Sequence, residues 1–155
     1  MTKEHKYEVD LRWTGNKGMG NKDYRSYDRS YIVSGKDKPD LPGSSDPNYL
    51  GDATRWNPEE MLLASLSACH MLWYLHLCSE KKIIVTAYHD APVVVMLVDA
   101  TGSGRISEAL LKPAVTLEDP SREAEAESLH AIAHKKCFIA NSINFSVKIE
   151  PNKKG

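Results

Sequence analysis

The chain has 155 residues, 41% of them hydrophobic and 26% charged, and its 20 basic and 21 acidic residues leave a net charge of −1. That balance lacks the basic excess a nucleic-acid binder needs to neutralise phosphates, and the apolar content with three Trp is too high for a disordered chain. The length suits one domain over residues 1–155. The opening Met1-Thr2-Lys3-Glu4-His5-Lys6 has charge with no apolar run behind it, so no leader is expected. A cytoplasmic chain is then expected, in a compartment where lasting structural disulfides are uncommon.

Glu4 to Thr14 alternates, with Tyr7, Val9, Leu11 and Trp13 on one face, and predicts a half-buried strand. A glycine-rich turn over residues 15–21 follows, then a second alternating segment from Tyr24 to Ser34. In it Arg29 shares a face with Tyr27, Tyr31 and Val33. The stretch Gly35 to Trp56 is rich in Pro, Gly, Asp and Ser without periodicity. A loop of that length either serves a site or another subunit, or is a tolerated insertion.

Asn57-Pro58-Glu59-Glu60 predicts a helix start: an N-cap, a proline at the first helical position and a glutamate completing a capping box. The helix is expected to run to about Glu80. Apolar residues cover nearly its whole circumference, so it should be buried all round. Ser65, Ser67, His70 and His76 interrupt the run, which argues against a membrane span. One small domain has little interior for such a helix, so a homodimer is expected. Strands follow at Lys82–Ala87 and Val93–Val98, then a turn at Thr101–Gly104 and a return strand over Arg105–Leu117. Asp119-Pro120 opens a second helix, acidic at its start and basic at its end, finishing near Cys137. Ser142–Glu150 alternates as a last strand. This order predicts an α+β fold.

Three cysteines is an odd number for a disulfide framework. Cys69 and Cys78 stand ~13.5 Å apart along one helix and cannot bond while it holds, because a disulfide needs Cα atoms within ~7 Å. Cys137 can then pair with either, or all three are buried apolar fillers. His70 follows Cys69 but faces ~100° away, which suits a hydrogen-bonded core histidine better than a base for the thiol. His130, His134 and Cys137 have helical spacing for a metal, but no fourth ligand accompanies them, so no metal is expected. No phosphate-binding glycine loop is present and no bound cofactor is expected.

The run Asn57-Pro58-Glu59-Glu60-Met61-Leu62, continued by Ala64-Ser65-Leu66-Ser67-Ala68-Cys69-His70, closely resembles the signature of the OsmC/Ohr family of thiol-dependent peroxidases. Glu59 and Cys69 keep the family's spacing of ten, and Lys136-Cys137-Phe138 supplies its second cysteine. The order of strands and helices is similar along nearly the whole chain. The resemblance implies an OsmC-like fold with antiparallel sheets around a long buried central helix, in an intertwined homodimer. It implies Cys69 as the peroxide-attacking thiol and Cys137 as its disulfide partner. It also implies an arginine from an early strand. Arg29 matches best, since Arg12 lies on a polar face and Arg25 at a segment start.

The chemistry implied is reduction of organic hydroperoxides to alcohols, with a dihydrolipoyl group or small thiol as dithiol reductant. A thiol at its ordinary pKa of ~8.5 is mostly protonated at pH 7, and a guanidinium such as Arg29 favours the nucleophilic thiolate. Glu59 would hold the Arg29 fork in place. Glu59 and Cys69 are ~15 Å apart along the helix. One arginine hardly reaches both, so the site is expected to be built across a dimer. A thiol-based redox sensor or an apolar-ligand binder of the same fold is the alternative reading.

Overall fold

The computed structural model describes residues 2–152. Two compact units make up the chain, Met1–Met61 and Leu62–Gly155. In the first unit, β1 (Asp10–Trp13), β2 (Tyr31–Ser34) and β3 (Leu41–Gly43) form an antiparallel sheet in that order. The two expected N-terminal strands are therefore much shorter than their alternation suggests. Alternation decides which side each residue takes, whereas strand length is set by the partner, and β3 offers only three residues. Between the strands the chain is tied irregularly: Thr14 N donates to Ser30 O at 2.9 Å and the Trp13 indole N–H to Asp28 O at 2.8 Å. Tyr7, Val9 and Leu11, expected to be half-buried, are exposed.

The loop Gly35–Trp56 is ordered around β3 and a 3-10 turn, Pro47–Tyr49. Ser44, 1% exposed, is its anchor: its N–H donates to Trp56 O at 2.9 Å and its hydroxyl accepts from Asp52 N at 3.0 Å.

The long helix α1 (Pro58–Glu80) begins and ends on local chemistry. Asn57 Oδ1 accepts from Glu60 N at 2.8 Å and Glu60 Oε2 from Asn57 N at 3.1 Å, the reciprocal box expected from the sequence. At the other end Ile83 N donates to Cys78 O at 2.9 Å and Lys82 N to Ser79 O at 3.0 Å, a Schellman motif. It places Lys82 at φ 57°, where a side chain crowds the backbone. Lys82→Gly is expected to raise the unfolding free energy by ~1 kcal/mol in urea titration. By contrast, Asn57→Ala is expected to lower it by ~1 kcal/mol.

In the second unit, β4 (Val85–His89) pairs antiparallel with β7 (Ala114–Leu117), and β5 (Val93–Val98), β6 (Gly104–Leu111) and β8 (Ser146–Ile149) form a second sheet in that order. Helix α2 (Glu123–Lys136) follows β7. Two expectations need correction. The return strand Arg105–Leu117 is split at Lys112-Pro113, since proline has no N–H for a ladder, and its halves join different sheets. And the sheets are not wholly antiparallel: β8 runs parallel to β6, reached by way of α2.

Nor is α1 buried all round. Leu66, His70, Tyr74, Leu77 and Cys78 are buried, but Ala64, Ser65, Ala68, Leu72 and His76 are exposed, with Leu72 at 61%. By length and mean hydropathy, 1.4 over its best window, α1 also reaches the range of a membrane-crossing helix despite its polar interruptions. Its buried side nevertheless packs within the second unit. There, one core cluster joins Tyr74, Leu77 and Cys78 to Ala126, Leu129 and Ala133 of α2, and another joins Leu66 to Ala109, Leu111 and Cys137.

Candidate functional site

Cys69 lies half-buried on α1 and packs against the second cluster, whose Cys137 is 1% exposed at the C-cap of α2. The two thiols interact, and both are free. Cys78 is also buried, but in the other cluster beside Tyr74, its thiol pushed up by burial. The choice that helix spacing left open is thus resolved by packing: Cys137 neighbours Cys69.

The α2 terminus shapes the second thiol. Ala140 N donates to Cys137 Sγ at 3.4 Å, and Asn141 N donates to Cys137 O at 3.0 Å. Burial pushes the Cys137 thiol up to about 11; the Ala140 N–H opposes this, and the neighbouring Cys69 adds to it. Cys137 is therefore a protonated, shielded thiol at neutral pH. Apolar side chains surround the pair: Leu66, Trp73, Ile139 and Ile143. Trp73 stands edge-on to Phe138 at 5.6 Å, with Lys136 Nζ 5.2 Å from its ring. Of the expected apolar walls, Leu66 belongs to the same cluster as Cys137, and Trp73 packs against that cluster as Cys69 does. Phe138, 67% exposed, was not singled out from the sequence, although it directly follows Cys137.

Arg29 lies just before β2 in the first unit, among aromatic residues as its alternation suggests. Its guanidinium is 4.4 Å from the Tyr24 ring centre and 4.1 Å from that of Tyr27. Nη1 donates to Tyr27 O at 2.8 Å and Nη2 to Tyr24 O at 2.5 Å. Arg12 and Arg25 are exposed. Glu59 is half-buried in the first turn of α1, and the Tyr31 phenol is raised by burial and then by the Glu59 charge. Among the described residues no ion pair joins Arg29 and Glu59. Arg55, unremarked in the sequence, pairs through Nε with Asp52 at 3.4 Å and leaves Nη1 buried without a partner.

His70 is a core histidine, 1% exposed, and its Nε2 lies 3.0 Å from Nδ1 of His130. Burial, more than the neighbouring histidines, lowers its pKa to about 4; burial does the same to His130. His134 does not join His130 in a metal cluster: none of three or more ligating side chains occurs among the described residues. Asp90 accepts from Ser67 Oγ at 2.6 Å and Lys112 N at 2.7 Å, tying α1 to the Lys112-Pro113 break.

The structure thus sets a helix-borne thiol, Cys69, against a cluster that holds a second, buried thiol, Cys137, within an α+β fold. The family model described as OsmC-like protein matches residues 51–152, and the chain belongs to this family. No curated protein matches the sequence. An OsmC-like protein of unknown function from Vibrio cholerae has 25% identity and a TM-score of 0.87, over 96% of this chain and 100% of that one. An organic hydroperoxide resistance protein OsmC from Legionella pneumophila has 21% identity and a TM-score of 0.71, over 97% and 100%. The organic hydroperoxide resistance protein OhrB of Bacillus subtilis has 23% identity and a TM-score of 0.63, over 94% and 96%. The last two likenesses are of fold.

Proposed function

We propose that this protein is a cysteine-based peroxidase that reduces organic hydroperoxides to alcohols. The observation that carries the reading is the packing of Cys69 against Cys137 in one apolar cluster. A Cys69 thiolate attacks the peroxide oxygen, becomes a sulfenic acid and releases the alcohol. Cys137 then condenses with it, forming a disulfide and releasing water. An external dithiol, a dihydrolipoyl group or a small thiol, returns both to thiols. Apolar walls at Leu66, Trp73 and Phe138 favour alkyl or lipid hydroperoxides over hydrogen peroxide.

Arg29 is assigned to stabilising the thiolate and the peroxide oxygens, with Glu59 orienting it. Both act from a partner subunit, which supplies what one helix cannot, given the ~15 Å rise between Glu59 and Cys69. The apolar exposure of Leu72 on α1 and of Val93, Leu97 and Val98 on β5 supports such a dimer. Sedimentation should then give a dimer; a monomer at micromolar concentration would sink the shared site. Arg29→Lys keeps the charge without the planar fork, and its kcat/KM is expected to fall about 100-fold.

The test of function is consumption of tert-butyl hydroperoxide and hydrogen peroxide with excess dithiol. Sustained turnover that is faster with the organic peroxide supports the peroxidase. Disulfide formation without turnover would mean a redox sensor instead, and neither would mean a binding protein.

A further inference from the structure

The His70–His130 contact is not needed by the chemistry just described, yet each of its rings is carried by the helix that bears or ends at one of the two cysteines. His70 follows Cys69 on α1, and His130 precedes Cys137 by seven residues, two turns of α2. Both rings are buried, at 1% and 5% exposure, and nearly parallel, with an interplanar angle of 10°. Tyr74, one turn beyond His70 on α1, stacks on His130 at 4.0 Å. α1 thus grips one α2 side chain twice, by a directed hydrogen bond and by an aromatic face.

The protons can be placed. His70 Nδ1 is buried without a hydrogen-bond partner. A bare ring nitrogen is tolerated there better than an orphaned N–H, so His70 carries its proton on Nε2 and donates it to His130 Nδ1. His130 then has its N–H on Nε2, in a ring that lines a cavity of about 90 Å³ with Glu123 and Asn152.

A buried polar pair is a poor way to gain stability, because two apolar residues of similar shape would serve about as well. Its distinctive property is direction. On α2, the buried apolar residues that meet α1 in this cluster are Ala126, Leu129 and Ala133, so one large side chain and two small ones are left to set the axial position of one helix against the other. A hydrogen bond resists sliding where small apolar contacts do not.

We propose that His70 and His130 are positioning residues for the disulfide step: their hydrogen bond fixes α2 along α1 and so holds Cys137 Sγ in reach of Cys69. This rests on the peroxidase reading. In that step the Cys137 sulfur displaces hydroxide from the Cys69 sulfenic acid. An S–S bond forms and the S–O bond breaks, while the Cys137 thiol proton leaves with the hydroxide as water. The Cys69 sulfur is reduced and the Cys137 sulfur oxidised, the organic hydroperoxide having been the oxidant. A buried, protonated Cys137 thiol is a slow nucleophile, so the step depends on placement.

The test contrasts two polar substitutions at one site. In His130→Asn the amide oxygen takes the place of Nδ1 and still accepts from His70, whereas in His130→Gln the amide lies toward Nε2 and does not. The readout is how Cys69 sulfenic acid, made with excess tert-butyl hydroperoxide, divides between disulfide and sulfinic acid, measured by mass spectrometry. The His130→Gln protein is expected to lower the disulfide-to-sulfinic ratio at least tenfold. His130→Asn should stay within about threefold of wild type, as should the doubly conservative His70→Gln/His130→Asn. Equal ratios in the Asn and Gln proteins would overturn the positioning role. If the wild type forms no Cys69–Cys137 disulfide, the peroxidase reading falls and this inference with it.

Discussion

Replacing Cys69 by serine is expected to reduce dithiol-dependent peroxide consumption by a factor on the order of 10³ or more, to the level of the uncatalysed mixture. Serine keeps the size of the side chain and removes the polarisable nucleophile, so a folded, inactive protein is the expected outcome. Cys137→Ser separates the two halves of the cycle. The first attack on peroxide should survive, but the Cys69 sulfenic acid loses its neighbour and is carried on to sulfinic acid by further peroxide. Cys78→Ala supplies the control, because Cys78 packs in the other cluster against α2; its turnover should match that of wild type. Full activity in Cys69→Ser would end the peroxidase reading. Disulfide-linked protein in Cys137→Ser would show a different resolving partner, and would leave the packing of Cys137 against Cys69 without a function.

The second large effect is on stability against acid. His70 and His130 have pKa values of about 4 in the folded protein, against an ordinary 6.5. Because the folded values are depressed, both imidazoles are neutral in either state at pH 7.5 and cost nothing there. As pH falls through 6.5 the unfolded chain takes up protons that the folded one refuses, so stability is lost from pH 6.5 down to about 4. For each histidine the loss approaches ~3 kcal/mol at the lower end, with less for the pair than the sum since the rings interact. Against a typical total of ~5–15 kcal/mol this is a major fraction.

Asp52, Asp99 and Asp119 do not confuse the measurement. Hydrogen bonds from Thr54, Thr101 and Ser121 hold their carboxyls below the usual range, so they lose stability only at lower pH. Urea titrations at pH 7.5 and 5.0 should show a drop in wild type that His70→Gln/His130→Asn lacks, as neither replacement titrates. Equal drops in both proteins would refute the account.

The start of α1 and much of the second unit were legible because their signals are local. The capping box at Asn57 and Glu60 needs only the residues it joins, and so does the dipole-matched charge along α2. The β5–β6 turn at Thr101–Gly104 is equally local: Asp99 Oδ1 accepts from Thr101 N at 2.8 Å. What failed were inferences about partners. Tyr7, Val9 and Leu11 alternate as a strand should, yet only Asp10–Trp13 is paired, since pairing length depends on a distant segment. The apolar circumference of α1 is a different case: burial on every side was expected only with a partner subunit, and within this chain one side is open at Leu72.

The odd cysteine count shows the same division. By itself the sequence excluded a Cys69–Cys78 bond, since the rise of a helix is fixed by its backbone, and it carried the family signature around Cys69. It left Cys137 facing either cysteine on the same geometric terms. The family resemblance singled out Cys69, and the packing that brings it to Cys137 is visible only in the tertiary structure, because it depends on which face of α1 meets the end of α2. Cys78 turns to Leu129 and Ala133 in one cluster, while Cys69 meets Cys137 beside Leu111 in the other. His70 and His130, sixty residues apart in the chain, could be joined only there too. A hydrogen bond between two helices depends on how they pack, and packing is a property of the folded whole.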